Sequence, residues 1–151
     1  MNDYRLYILM RNDLESMGPG RAAAQASHAA NAFIKEYKYR KDVKEWEKQT
    51  PQGFGTVIVL RVNIEMLKET MSNLIKSHMG YDHPHDKIYD PDYHFTVNKE
   101  ISFLLKENKF VHLVEEKEND YVIFSKKELT CAYIFGEKEE LFPILGHLPL
   151  Y

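Results

Sequence analysis

The sequence predicts an α/β protein, a three-layer sandwich in which helices flank a mixed, roughly four-stranded sheet. Short, almost continuous apolar runs are typical of strands that are buried on both faces. Between them, apolar residues recur at helical spacing, and the order strand, helix, strand, helix favours a sheet with right-handed crossovers. At 151 residues the chain is expected to form a single domain, residues 1–151, with a sizeable core.

The first strand, loop and helix occupy residues 4–37. Residues 4–10 (YRLYILM) are predicted to form a buried strand because the run is too short for a helix. Gly18 and Gly20 allow a tight turn and let a ligand approach the backbone. The helix is expected to begin near Gly20 or Arg21, with an apolar stripe facing the sheet that consists of Ala23, Ala26, Ala30, Phe33 and Tyr37.

Arg21, Gln25 and His28 form a polar line on the same helix. This line starts at the helix N-terminus, where unpaired N–H groups and the helix dipole favour an anion. The spacing therefore indicates a functional site, and an ordinary solvated helix face explains it equally well.

The remaining elements follow from the same periodicities. Residues 56–62 are predicted to be a central strand, and Asn63 to cap a helix. Asp42 is expected to cap a short helix that ends at residue 48, residues 130–135 to return as a buried strand, and residues 137–145 to close the chain as a helix. The apolar positions predicted for the Asn63-capped helix are Ile64, Leu67, Met71, Leu74 and Ile75.

Residues 80–92 are polar and rich in turn residues, so only a short strand is expected, at residues 87–89. The nearby metal-ligand types follow no recognised metal-site spacing, which favours a histidine-rich surface loop and no metal site. These side chains are His78, His83, His85, Asp86 and His94.

A net charge of −3 argues against a general nucleic-acid binder. The basic and aromatic segment 35–48 could bind RNA locally, although cations at a helix end explain it as well. Cys131 is predicted to lie in the core rather than act as a nucleophile. With neither a signal peptide nor a membrane span in the sequence, we expect a cytoplasmic protein without membrane contact.

The segment ILMRNDLESMGPGRAAAQASHAANAF resembles the N-terminal signature of the type II peptidyl-tRNA hydrolases in its RNDL, MGxG, AAQ and SHA elements. Residues 44–60 and the ending GHLPLY resemble further parts of that family. At residues 96–128 the family has only a short loop, so we predict an inserted helix and hairpin. Asn98 is expected to cap the helix, and residues 110–114 and 121–124 to pair around the loop EEKEN.

The resemblance implies hydrolysis of the ester between a peptide and tRNA, with no cofactor and with tRNA as partner, and a homodimer is expected. Arg21 stands where the family has its functional lysine and is assigned an electrostatic role, because a guanidinium stays protonated. Asp90, with Asp92 as the alternative, matches the aspartate that orients or deprotonates water. The two are expected to face each other across one cleft.

His94 falls on a family threonine and is assigned hydrogen bonding or proton transfer, and Thr130 matches the threonine that orients the carboxylate. The implied substrate-binding residues are Gly18, Gly20, Gln25, His28, Arg11 and Asp13, and an ion pair is the favoured role of the last two. Tyr93 and Phe95 either stack on the terminal adenine or pack beneath the insertion. The alternative function is a non-catalytic module of the same fold that binds RNA or a protein.

Overall fold

The computed structural model describes residues 2–116 and 120–151 and confirms the α/β class, with a mixed sheet of five strands over these residues. The strands are β1 (Tyr4–Arg11), β2 (Val57–Val62), β3 (His85–Asn98), β4 (Val111–Glu116) and β5 (Tyr121–Glu137). The helices are α1 (Pro19–Tyr37), α2 (Lys41–Glu47), α3 (Ile64–Lys76), α4 (Phe103–Lys106) and α5 (Lys138–Leu145), with a 3-10 turn at Met79–Tyr81. The strand order is β2-β1-β5-β3, and β4 pairs with β5.

The chain divides into two compact units. The first contains everything up to Ile88 together with Cys131–Tyr151, and the second is Tyr89–Thr130. The expectation of a single domain with an insertion at residues 96–128 stays a prediction.

The core of the first unit lies against both faces of β1. On one face α1 and α2 bring Phe33 and Trp46 against Phe135 of β5, with ring centroids 4.9 Å apart for Phe33 and Phe135. Trp46 also donates a hydrogen bond from Nε1 to the Thr56 carbonyl at 2.9 Å. A Cβ on Gly55 would come within 2.2 Å of the indole, so glycine is required there. Helices α3 and α5 contact each other and supply buried leucines.

The predicted stripe on α1 is confirmed in part: Phe33 is buried, and Ala26, Ala30 and Tyr37 pack half-buried against the core. The helix begins at Pro19 after the N-cap Gly18, and its buried residues are Ala22, Gln25, Ala29 and Phe33. Ala23 is exposed. The large Phe33 ring sets the rotation of the helix because it must enter the aromatic core.

Strand β2 is an edge strand, so the prediction of a central strand is wrong. The C-terminal tail covers part of its outer edge: the Arg61 N–H donates to the Pro149 carbonyl at 2.8 Å, and the Tyr151 N–H donates to the Val59 carbonyl at 3.0 Å. Backbone groups on an edge need such partners, and this explains how an apolar strand is tolerated at the margin of the sheet.

The helix caps were predicted with mixed success. Asn63 is confirmed, since its side chain accepts a hydrogen bond from the Met66 N–H at 2.8 Å. Asp42 is not the cap of α2. Arg40 occupies that position, and Asp42 lies in the first turn, where it binds the Arg40 guanidinium. Ile75 was expected in the core but is 60% exposed, because the buried face of α3 runs through Thr70 and Leu74.

The middle of the chain contains longer strands than predicted. Strand β3 extends over His85–Asn98, so the prediction of a surface loop with a strand at residues 87–89 is wrong for this part. Its polar residues are tolerated because many of them lie exposed on a strand whose backbone is paired with β5. Strand β5 is continuous over 17 residues, so the predicted second hairpin strand and the predicted last strand are one strand.

Strands β4 and β5 pair antiparallel, as the hairpin prediction required, with a register shift between Leu113 and Glu115. Residues 117–119 of the predicted EEKEN loop lie outside the described residues. The predicted helix from Asn98 shrinks to the four residues of α4, whose N-cap is Ser102. Its apolar positions Ile101 and Leu104 are more than half exposed, so little burial supports a longer helix.

Candidate functional site

The loop before α1 is open at the helix N-terminus. Gly18, Pro19 and Gly20 are all exposed, and Gly18 has an extended backbone with φ −80° and ψ 175°. No side chain caps the first-turn N–H groups. A Cβ placed on Gly18 or Gly20 would meet nothing within 4 Å. Neither glycine is required by packing, and both leave the loop backbone accessible; close approach of a ligand to this loop stays a prediction.

Arg21 lies in the first turn of α1 and is half-buried. Its Nη1 donates a hydrogen bond to Ser16 Oγ at 2.6 Å, across the glycine loop. The guanidinium therefore adds a positive charge to the end of the helix that already favours an anion. Sequence reasoning missed Ser16 as the group that orients it; a hydroxyl residue shortly before the glycines was the available signal.

Arg11 and Asp13 connect the end of β1 to the start of α3. Arg11 is 6% exposed, and its Nε and Nη2 donate to the two Asp13 carboxylate oxygens at 2.9 and 3.1 Å. Asp13 Oδ2 also accepts from the Ile64 N–H at 3.2 Å. This geometry supports the ion-pair role, and direct substrate binding by the pair stays a prediction.

The pKa of the Asp13 carboxyl is shifted by opposing effects. Partial burial raises this pKa, but the hydrogen bonds from Arg11 and from the Ile64 N–H outweigh it, so the pKa lies below its ordinary value. The carboxylate is thereby kept ionised, as the buried guanidinium beside it requires.

Gln25 and His28 do not share one exposed face. Gln25 is 5% exposed and belongs to the buried line of α1, whereas His28 lies at the surface. The Gln25 carbonyl accepts a hydrogen bond from Cys131 Sγ at 3.7 Å. Cys131 is fully buried, in agreement with a core role. Gln25 therefore helps to place α1, and His28 is exposed farther along the helix; substrate binding by either residue stays a prediction.

In the second unit, Asp90, Asp92 and His94 alternate along β3 and so share one of its faces. Asp90 is half-buried and its Oδ1 accepts a hydrogen bond from the Asp92 N–H at 2.9 Å. Asp92 is exposed, and its Oδ2 lies 3.8 Å from His94 Nε2. That Asp90 faces Arg21 across one cleft stays a prediction.

Thr130 and Tyr93 are buried, at 0% and 2% exposure. Thr130 lies inside β5 rather than at its start, and Tyr93 lacks a free face on which a base could stack. Phe95 stacks on Phe124 with ring centroids 6.0 Å apart, and the Lys126 ammonium lies 5.1 Å from the Phe95 ring centroid. Of the two alternatives for these aromatics, the structure therefore favours packing.

His83, just before β3, is held by two hydrogen bonds. His83 contacts the Met79 carbonyl through Nδ1 at 2.8 Å and Glu140 Oε2 through Nε2 at 2.9 Å. Over the described ranges, no three His, Cys, Asp or Glu side chains come together as ligands for a metal ion. Of the helices in residues 2–116 and 120–151, none is long and apolar enough to cross a membrane.

Comparison with known proteins gives one family match that includes the glycine loop and the first part of β3. The family model described as "Peptidyl-tRNA hydrolase PTH2" matches residues 4–93, which include Arg21 and Asp90 but neither His94 nor Thr130. The mitochondrial peptidyl-tRNA hydrolase 2 of Bos taurus is 45% identical over 47 residues, or 30% of this chain. The chain spans about a quarter, 26%, of that relative's length.

Proposed function

Because the chain belongs to the peptidyl-tRNA hydrolase family PTH2, we propose that it hydrolyses the ester between tRNA and a peptide or N-blocked aminoacyl group, releasing free tRNA. The observation that supports this most is that a single family match includes both the glycine loop with Arg21 and the β3 carboxylate Asp90. The open N-terminus of α1 adds a place for the phosphates or the developing oxyanion.

The reaction needs a water molecule, a base and an oxyanion donor. The water oxygen attacks the ester carbonyl carbon, and Asp90 takes the proton that the water loses. When the bond to the ribose oxygen breaks, Asp90 returns that proton to the leaving oxygen, so no covalent intermediate forms. The buried Cys131 has no role in this scheme.

Arg21 stabilises negative charge in this scheme. A guanidinium does not exchange its proton in the working range of an enzyme, so Arg21 acts by charge and by its N–H donors. The hydrogen bond to Ser16 Oγ restricts the side chain to the mouth of α1. Gly18 and Gly20 let the substrate approach the loop backbone, and the exposed His28 lies farther along the same helix.

His94 and Thr130 act in supporting roles. The half-buried His94 imidazole hydrogen-bonds or relays protons on the Asp90 face of β3. Thr130 is fully buried, so its hydroxyl acts as a positioning group for neighbouring polar groups rather than by touching the substrate.

The test is single-turnover release of the acyl group from an N-acetylaminoacyl-tRNA. Asp90→Asn removes the base and is expected to lower the rate about 10²- to 10⁴-fold. Asp92→Asn is the matched control, since the same change two residues along β3 affects an exposed carboxylate and is expected to leave the rate within about threefold. If the folded wild-type protein released nothing from several such tRNAs, the enzymatic proposal would fail.

A non-catalytic binding module is the second candidate because the second unit exposes many large apolar side chains. They are Tyr89, Ile101, Phe103, Leu104, Phe110, Leu113, Val114 and Tyr121. Apolar surface of this kind often marks an interaction site. Since β5 is continuous, removing residues 97–127 would cut a strand, and Phe103→Asp with Leu104→Asp is the cleaner variant. An inactive wild type that binds tRNA, with affinity lost in this variant, would favour the module.

A further inference from the structure

A basic groove lies between α3 and the start of β3, within the first unit. It consists of two adjoining pockets of about 520 and 390 Å³, which share Ile75 and His85 as lining residues. We call it the α3 groove. Its residues take no part in the proposed hydrolysis, and three of them, His78, His85 and Asp86, stood out in the sequence only as metal-ligand types.

The α3 groove carries more positive than negative charge. Lys68, Lys76 and Lys87 line its larger pocket, where Asp86 is the acidic residue. Over residues 2–116 and 120–151, none of these three ammonium groups forms an ion pair, in contrast to Lys126, whose Nζ lies 3.0 Å from Glu128. Three unpaired cations around one concave surface fit an anionic ligand.

The spacing of the lysines fits an extended anion better than a compact one. Lys68 and Lys76 are eight residues apart on α3, which corresponds to about 12 Å along the helix axis. Lys87 stands on the opposite wall, on β3. A strand of nucleic acid presents successive phosphates that could meet such a row, whereas one phosphate group could not reach all three.

The smaller pocket supplies an aromatic surface. Tyr81 lines it and is 88% exposed. Surfaces that bind single-stranded nucleic acid combine a positively charged groove with aromatic rings on which bases stack. Ile75 lines both pockets and is 60% exposed, so the groove also offers apolar surface.

We propose that the α3 groove binds an RNA strand, with Lys68, Lys76 and Lys87 contacting successive phosphates and Tyr81 stacking on a base. The identity of this RNA as the tRNA of the substrate rests on the proposed function. Binding itself does not, because deacylated tRNA carries the same phosphates and needs no hydrolysis.

The experiment measures the affinity for a deacylated tRNA over a range of salt concentrations. In Lys68→Ala with Lys76→Ala the affinity is expected to fall about tenfold, and the slope of log affinity against log salt to decrease by about two. The matched control is Lys35→Ala with Lys41→Ala, two exposed lysines of the other basic segment, which removes the same charge. An equal or larger loss in the control would overturn the proposal.

Two further measurements distinguish the ligand. Tyr81→Ala is expected to weaken tRNA binding while Tyr81→Phe retains it, because stacking needs the ring and not the hydroxyl; loss in both variants would contradict stacking. The second measurement is the affinity for tripolyphosphate. If replacing Lys68 and Lys76 weakened tripolyphosphate binding but left the tRNA affinity unchanged, the groove would be a small-anion site and the RNA assignment would be overturned.

The outcome is separable from that of the proposed function. A hydrolytically inactive protein whose tRNA affinity depends on Lys68 and Lys76 would refute the enzyme and support the groove. If the wild type were active and the groove variant bound deacylated tRNA as tightly as the wild type, the enzymatic proposal would be supported and the groove proposal refuted. In an active enzyme we expect the groove variant to raise KM about tenfold with kcat unchanged.

Discussion

Arg11 is a buried cation whose charge is balanced by Asp13. Arg11 is 6% exposed, and the Asp13 carboxylate also accepts a hydrogen bond from the backbone N–H of Ile64, the first residue of α3. A buried charge that loses its partner costs several times more than an exposed one, because it cannot regain its hydration. The RNDL segment therefore fixes the strand end that leads into the glycine loop.

Asp13→Asn is expected to lower the free energy of unfolding by about 2–3 kcal/mol, since it takes a doubly hydrogen-bonded carboxylate away from the buried Arg11 guanidinium. The control is Asp3→Asn, which breaks the more exposed Arg5–Asp3 pair and is expected to cost less than about 1 kcal/mol. Urea unfolding at neutral pH measures both. Equal, small losses in the two variants would contradict the structural role of the pair.

The same carboxyl predicts a pH dependence of stability. Its pKa in the folded protein is lowered, so its contribution is complete above the unfolded value of about 3.9 and is lost as pH falls through the folded value. Between about pH 5 and pH 3 the wild type is therefore expected to lose more stability than Asp13→Asn does. Parallel pH profiles of the two proteins would count against this linkage.

Among single residues, the rotation of α1 was the hardest feature to predict. Alanines occur on several sides of the helix, so spacing alone does not distinguish Ala22 from Ala23 as the buried residue. Packing against the sheet decides which face of α1 is buried, and that face includes Phe33 and Gln25. The Arg11–Asp13 pair was predictable because its two members are only two residues apart where β1 ends.

At the scale of elements, α1 and its loop were predicted well because glycine, proline and alanine act locally. Helix α1 begins at Pro19 after Gly18, within two residues of the expectation. The lengths of strands β3 and β5 were not predicted well, because strand pairing depends on residues that are far apart in the sequence. Pairing satisfies the backbone of polar residues that have no strand signal of their own, as in β3.

Gly20→Ala tests the use of the loop at the same scale. The exposed first-turn position has room for a Cβ, so helix propensity is expected to raise the free energy of unfolding by about 0.5 kcal/mol. The added methyl group stands where substrate would approach, so KM should rise about fivefold or more. Ala24→Gly, an exposed position of α1, is the control and should lower stability without changing KM.

If Gly20→Ala were more stable than the wild type and yet had a higher KM, the loss could not be attributed to poorer folding and would indicate hindered approach of the substrate. An unchanged KM in Gly20→Ala would show that the substrate does not approach this loop closely.

For the whole molecule, the distribution of charged side chains over the surface says more about binding of an anionic ligand than the net charge does. The chain carries −3, yet the α3 groove and the mouth of α1 each present cations. Composition could not reveal this, since Lys68, Lys76 and Lys87 come together only when α3 lies beside β3. The family resemblance itself was predictable from the sequence, and the family model matches residues 4–93.

The central claim is that Arg21 and Asp90 act on one hydrolytic step, and single-turnover hydrolysis of an N-acetylaminoacyl-tRNA tests it most directly. Arg21→Ala and Asp90→Asn are each expected to slow release about 10²-fold or more. The double variant should be little slower than the slower single variant, because groups that serve one step are not additive. The account would be contradicted if the fold-losses in rate of the two single variants multiplied in the double variant, or if the single variants were as fast as the wild type.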